Sequence, residues 1–390
     1  MKRKLLCLLC LVFLAISSTF ASNWHFVFGD AVQHPEIVWG FLPAYINAGI
    51  GYNGVSFMEG DTTDFQLLLG AGYSQRKLWQ DPVTGSVIRQ DPLIYDVWDF
   101  DWSLRFVQGF AENPMNQGSD LLTLTIAYNG QFEMAKDSMA AGKDRLNGVK
   151  SPVKTIDEFF ATANRVDNRI YPEINGDGQF LGTQFAAYMK LNAMEDNIHE
   201  NNGFIGKLNL LWGPKALNRA LEGFADYFSI RADAIGAYTL YNYEKEGKSW
   251  FSISIVDRVN FGFVSGDAIP AFIQGPESLG RKVRGFNNYT YNTKYTVVNN
   301  FDLRLAGPDM GISGLAARVN IFFDMGYGWG ELNNTNEKQE NFLCSTGVQG
   351  TISFFDFIDL GYQVAYLISG DKFTNGSDRF VGSFTFFLDF

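Results

Sequence analysis

Phe322-Phe323-Asp324-Met325-Gly326-Tyr327-Gly328-Trp329, preceded by Arg318-Val319-Asn320-Ile321, is the stretch that decides how this chain must fold. Successive side chains of a strand point to opposite faces. Val319, Ile321, Phe323, Met325, Tyr327 and Trp329 therefore share one side, while Arg318, Asn320, Phe322, Asp324, Gly326 and Gly328 share the other. Just upstream, Phe301, Leu303 and Leu305 alternate with Asn300, Asp302 and Arg304. Two neighbouring strands then bring Asp302 and Asp324 to the same polar face. Paired carboxylates attract a guanidinium, and one is at hand in Arg281-Lys282-Val283-Arg284-Gly285-Phe286. Arg284 follows a loop read from Phe263 to Gly280, far longer than an ordinary connection between strands.

The same alternation recurs outward in both directions. Phe65, Leu67, Leu69, Ala71 and Tyr73 oppose Gln66, Gly70, Gly72 and Ser74, and Trp98, Phe100, Trp102, Leu104 and Phe106 oppose Asp99, Asp101, Ser103 and Arg105. Period-two segments also run over 121–132, 180–192, 204–212, 228–241 and 251–263, with opening strands expected within 24–55. Helical spacing predicts a capped helix at Thr155–Ala161, within a polar interval from 134 to 178, and a packed helical connector from Pro214 to Asp226 carrying Leu217, Ala220, Leu221 and Phe224. Five strands follow the long loop, at 297–306, 316–329, 344–353, 358–369 and 379–390, and their connections alternate between short and long. In the last one Phe380, Gly382, Phe384, Phe386, Leu388 and Phe390 share a face, and the chain stops on an aromatic.

Composition narrows the class. Lys2-Arg3-Lys4, an apolar run from Leu5 to Ile16 and small residues up to Ala21 make a secretory signal of residues 1–21, leaving 22–390 as one domain. Loss of that signal removes Cys7 and Cys10, so Cys344 has no intrachain partner. It also removes three basic residues from a chain already at −11, and that charge argues against nucleic acid as a partner. Beyond the signal no apolar run reaches the length of a membrane helix. An exported chain with 36 Phe, 17 Tyr and 8 Trp, arranged on alternate positions, suggests instead a transmembrane antiparallel β-barrel, which needs only every second residue apolar. Parity alone does not separate this from a soluble sandwich, although a terminal strand as apolar as 380–390 would be an aggregating edge in water.

Enzymatic chemistry finds little support. The three histidines are His25 and His34, near the start of the barrel, and His199 in Glu195-Asp196-Asn197-Ile198-His199-Glu200. No serine spacing picks out a nucleophile beside them, and the asparagines around His199 favour a solvated loop over a metal site with Glu195 and Glu200. The expectation is a protein that is not an enzyme and uses no metal or cofactor.

Arg284-Gly285-Phe286 and Phe322-Phe323-Asp324-Met325-Gly326 resemble the hallmarks of the BamA-type outer-membrane assembly and translocation barrels, the bacterial surface antigen superfamily. In that family an Arg-Gly-Phe/Tyr tripeptide on a long loop folds back into the barrel, and its arginine meets an acidic residue of a later strand. The resemblance implies that Arg284, Gly285, Phe286, Asp324 and Gly326 anchor the loop in the lumen, with Asp302 as second acidic partner. It implies sixteen strands, where the periodicity yields fourteen as the alternative, and no room for the periplasmic POTRA repeats in a chain of this length. The aromatic terminal strand, with Phe384, Phe386, Leu388 and Phe390, resembles the signal read by the outer-membrane assembly machinery. By the same resemblance the chain sits in the bacterial outer membrane, in contact with its lipid, with the long loop outside and the C-terminus periplasmic. Its partners would be client outer-membrane proteins and a separate periplasmic factor. A passive porin or surface protein that keeps the family barrel is the alternative.

Overall fold

The computed structural model describes residues 23–28, 45–57, 62–78, 93–115, 118–137, 178–196, 201–219, 224–245, 248–270, 273, 279–286, 293–307, 315–330, 341–354, 358–369 and 379–388. They form one antiparallel sheet in which every strand pairs with its neighbours in sequence. Its strands are β1 (Trp24–Phe28), β2 (Tyr45–Tyr52), β3 (Thr63–Leu78), β4 (Leu93–Glu112), β5 (Asp120–Asp137), β6 (Gln179–Asp196) and β7 (Asn201–Gly213). They continue with β8 (Asp226–Lys245), β9 (Lys248–Ala268), β10 (Tyr295–Ala306), β11 (Leu315–Trp329), β12 (Asn341–Phe354), β13 (Ile358–Leu367) and β14 (Phe380–Leu388). Helix α1 (Leu279–Lys282) lies in the link between β9 and β10.

Burial resolves what parity left open. On β11, Ile321 and Phe323 are 45% and 40% exposed while Phe322 and Asp324 are 1% and 0% exposed. On β4, Trp98, Phe100 and Leu104 are exposed and Asp99, Asp101 and Ser103 are buried. A soluble sandwich would show the reverse, because water favours the polar face outside. Here the sheet turns its polar face inward and presents aliphatic and aromatic side chains outward, which suits a hydrocarbon surround.

Link lengths divide the two ends of the sheet. The links 29–44, 79–92, 138–178, 214–225, 269–294, 330–340 and 368–379 lie at one end, and 53–62, 113–119, 197–200, 246–247, 307–314 and 355–357 at the other. Even the longest of the second set, 53–62, is shorter than the shortest of the first, 330–340. Aromatic pairs gather toward both ends. Phe263–Tyr295, Tyr295–Trp329 and Tyr366–Phe380 lie toward the long-link end, and Trp24–Tyr52, Phe65–Phe106 and Tyr243–Trp250 toward the other. Paired aromatic girdles of this kind suit two membrane–water boundaries.

Several expectations are corrected. The described residues hold fourteen strands rather than sixteen, and no β1–β14 pairing is found among them. The physical reason is strand length: β4 and β8 run for 20 residues and β9 for 21, so the same length of chain builds fewer, longer strands. Phe263 to Ala268, taken as the start of the long loop, continues β9, and the link begins at 269. Of the helical connector, the described residues show a 3-10 turn at Lys215–Leu217 with Leu217 exposed rather than packed, and Ala220 and Leu221 lie outside the described residues. The signal segment 1–21, the helix expected at Thr155–Ala161, His34, His199, Glu200 and Phe390 lie outside the described residues.

Candidate functional site

β10 and β11 pair with Asn300 opposite Asp324 and Asp302 opposite Phe322, so both carboxylates project from one inward patch of wall. Backbone hydrogen bonds shape α1 and the turn after it, which carries Arg284. Val283 N–H donates to Leu279 O at 3.3 Å, and Phe286 N–H to Val283 O at 3.1 Å. Arg284 then gives Asp324 three hydrogen bonds: backbone N–H to Oδ2 at 2.9 Å, Nε to Oδ2 at 2.8 Å and Nη2 to Oδ1 at 2.6 Å. The two from the side chain form the parallel fork that makes arginine–carboxylate pairing geometrically specific. Nη1 stands 2.7 Å from Asp302 Oδ1, an ion contact that lacks hydrogen-bond alignment. Burial opposes the charge on Arg284, but Asp324 and Asp302 outweigh it and raise its pKa above the ordinary arginine value.

The rest of the seat was not anticipated. The Phe322 ring lies under the guanidinium, 4.0 Å from ring centroid to Cζ, so an aromatic on the polar face serves as a cation–π platform. Ser345 Oγ on β12 donates to the Arg284 carbonyl at 2.6 Å, and Asn300 Nδ2 donates to the Lys282 carbonyl at 2.9 Å. Lys282 Nζ donates to Asn260 Oδ1 on β9, and Asn260 Nδ2 passes a hydrogen bond to Asp233 Oδ1 on β8. Two residues of one turn thus touch walls as far apart as β9 and β12. The sheet therefore curls around the loop.

Gly285 and Phe286 continue the turn that carries Arg284. Gly285 adopts φ +91°, a conformation that costs an L side chain about 1–2 kcal/mol. A Cβ there would also stand 2.7 Å from Leu367 Cδ2 and 2.8 Å from Ala365 Cβ. Phe286 is fully buried with Leu279, Val283, Val298, Leu343 and Leu367, an apolar cluster on the inward side of the sheet. Gly326 leaves room for that cluster, because a Cβ there would come within 2.6 Å of Leu279 Cδ1 and 2.9 Å of Val283 Cγ2.

At the C-terminus, Phe384 is 71% exposed, and Phe386 and Leu388 lie in β14 opposite Leu360 and Ile358. Between β1 and β3, His25 Nε2 is 3.0 Å from Asp64 Oδ2, and Gln66 Nε2 donates to the same oxygen at 2.7 Å. Glu195 lies in β6. Among the described residues no group of three His, Cys, Asp or Glu side chains is placed to hold a metal ion.

No protein-family model matches the sequence, and no curated protein matches it. Among solved structures, the chain is similar to the crystal structure of BamA from Haemophilus ducreyi lacking POTRA domains 1-3. The TM-score is 0.48 at 12% identity, covering 88% of this chain and 62% of that one. It is also similar to a bacterial polysaccharide outer membrane secretin, with a TM-score of 0.32 at 8% identity and 83% of each chain covered. The chain thus spans less than two thirds of the BamA structure it matches, and both superpositions are loose.

Proposed function

We propose that the chain is a BamA-like outer-membrane β-barrel protein that acts in the insertion, assembly or translocation of proteins at that membrane. The observation that carries this reading is the three-bonded contact of Arg284 with Asp324, which holds the long link inside the curl of the sheet. A loop so anchored stiffens the wall formed by β9 to β13 and occupies space that an open diffusion pore would leave free. The outward apolar face suits lipid, and the long-link end suits the cell exterior, which leaves the C-terminus on the periplasmic side. Client outer-membrane proteins and a separate periplasmic factor are the partners of this proposal, which assigns no enzymatic step, cofactor or nucleic acid.

Reconstitution tests it. In liposomes the purified protein should speed the folding of a second, unfolded outer-membrane barrel over protein-free liposomes, and Asp324→Ala should reduce that gain. Steady ion conductance without any acceleration would favour a passive porin or surface protein instead.

A further inference from the structure

The outward faces of β8 to β11 are apolar or small at one position after another, with a single polar break. On β8 that face carries Phe228, Ile230, Ala232, Ala234, Gly236 and Tyr238, and on β9 Ile253, Ile255, Asp257, Val259, Phe261 and Phe263. On β10 it carries Tyr295, Val297, Asn299, Phe301 and Leu303, and on β11 Val319, Ile321, Phe323, Met325 and Tyr327. Asp257 is exposed on this face, and Asn299 Nδ2 donates to its Oδ1 at 2.6 Å. Asp257 Oδ2 and the second amide N–H of Asn299 make no hydrogen bond with the described residues.

Depth makes the pair unusual. Asp257 is equidistant in sequence from Phe251 and Phe263, which lie beside the aromatic pairs at the two ends of the sheet. By strand rise and a tilt near 45°, each is roughly 14 Å away along the membrane normal, which puts Asp257 near the middle of a hydrocarbon layer about 25 Å thick. Ionisable groups at that depth are rare and have partners. Acyl chains supply no donor there.

We propose that the Asp257–Asn299 pair is the centre of an intramembrane interface between two copies of this chain. The pair is self-complementary: one spare acceptor oxygen and one spare amide donor sit side by side. A two-fold rotation therefore sets Asn299 of each copy against Asp257 of the other, which is the isologous arrangement common to homodimers. Gly236 pairs with Asp257 across β8 and β9, and a Cβ at 236 would meet nothing within 4 Å. Such a bare patch allows the close approach that small residues provide between membrane segments.

This inference rests on the membrane-spanning reading of the outward face. The test uses the full chain in outer-membrane vesicles, in a Cys344→Ala background, with single cysteines at Val259 beside the pair and at Val364 on the outward face of β13. Val259→Cys should cross-link into a dimer and Val364→Cys should not, and adding Asp257→Leu with Asn299→Leu should lower the dimer yield at least tenfold while the monomer stays folded. Equal cross-linking at both sites, none at Val259, or a yield indifferent to the leucine pair overturns the proposal. The single-cysteine comparison decides even if the double leucine variant fails to fold. A water-soluble maleimide separates the two levels: free reaction at both cysteines contradicts the membrane reading itself, whereas protection at both without dimer contradicts only the interface.

Discussion

Replacing Asp324 by alanine removes the acceptor of three hydrogen bonds from Arg284 and leaves the guanidinium with its ion contact to Asp302 and the Phe322 ring. Taking one partner from a buried ion pair costs about 3–5 kcal/mol, because the other charge stays where water cannot compensate it. Arg284 keeps 18% side-chain exposure and one neighbouring carboxylate, so the lower end, about 3 kcal/mol, applies. At 1.4 kcal/mol per decade this raises the population with the loop released by roughly a hundredfold. Limited trypsin digestion reads that population, since cleavage follows the open fraction when opening and closing outrun the protease. The bonds after Arg281, Lys282 and Arg284 are the sites to follow in intact vesicles. A rate raised by about two decades is expected, whereas wild-type protection in Asp324→Ala would refute the claim that this contact seats the loop. Asp302→Ala, which loses one poorly aligned contact, should raise cleavage by no more than about tenfold, corresponding to about 1.4 kcal/mol.

Other consequences follow from the same geometry. Gly285→Ala should loosen the loop, since it adds about 1–2 kcal/mol of backbone strain to a collision with Leu367 and Ala365; faster tryptic cleavage at unchanged heat-modifiability of the barrel would show it. Phe286→Ala empties the centre of the inward apolar cluster at about 3–5 kcal/mol, and the same digestion should report release of the loop. Phe323→Lys places a charge on the outward face of β11 near mid-height and should cost about 2–4 kcal/mol of folding stability in liposomes, measured by urea titration. The neighbouring Asn320→Lys faces inward and should change that titration little.

The motif and strand parity together made the core of the site legible. Counting assigns Asp324 to the polar face, and the long loop with its tripeptide singles out Arg284; the structure joins the two through a forked contact. Phe322 was read on the polar face too, but its role under the guanidinium was hidden because nothing in a strand pattern says which apolar residue will meet a charge folded in from elsewhere. Lys282, Asn260, Asp233 and Ser345 were missed for a related reason. Their contacts depend on how tightly the sheet curls, and curl is set by strand length and stagger rather than by alternation. Strand length was underestimated because alternation fades at strand ends. On β9 it extends past Phe263 through Val264, Ser265, Gly266, Asp267 and Ala268, residues that by composition read as loop. The outward Asp257 passed unnoticed because one carboxylate in an otherwise apolar register looks like noise until Asn299 is found beside it.

The proposal turns on whether the apolar face of this sheet meets lipid while Asp324 and its neighbours line its inward face. Spin labels placed one at a time from 319 to 327 along β11, in the protein reconstituted into liposomes, measure this directly through collision with apolar oxygen and with a water-soluble nickel chelate. The account predicts a period of two, with 319, 321, 323, 325 and 327 open to oxygen and shielded from nickel, and 320, 322, 324 and 326 shielded from oxygen. A flat profile, or nickel access on the odd positions, would contradict it.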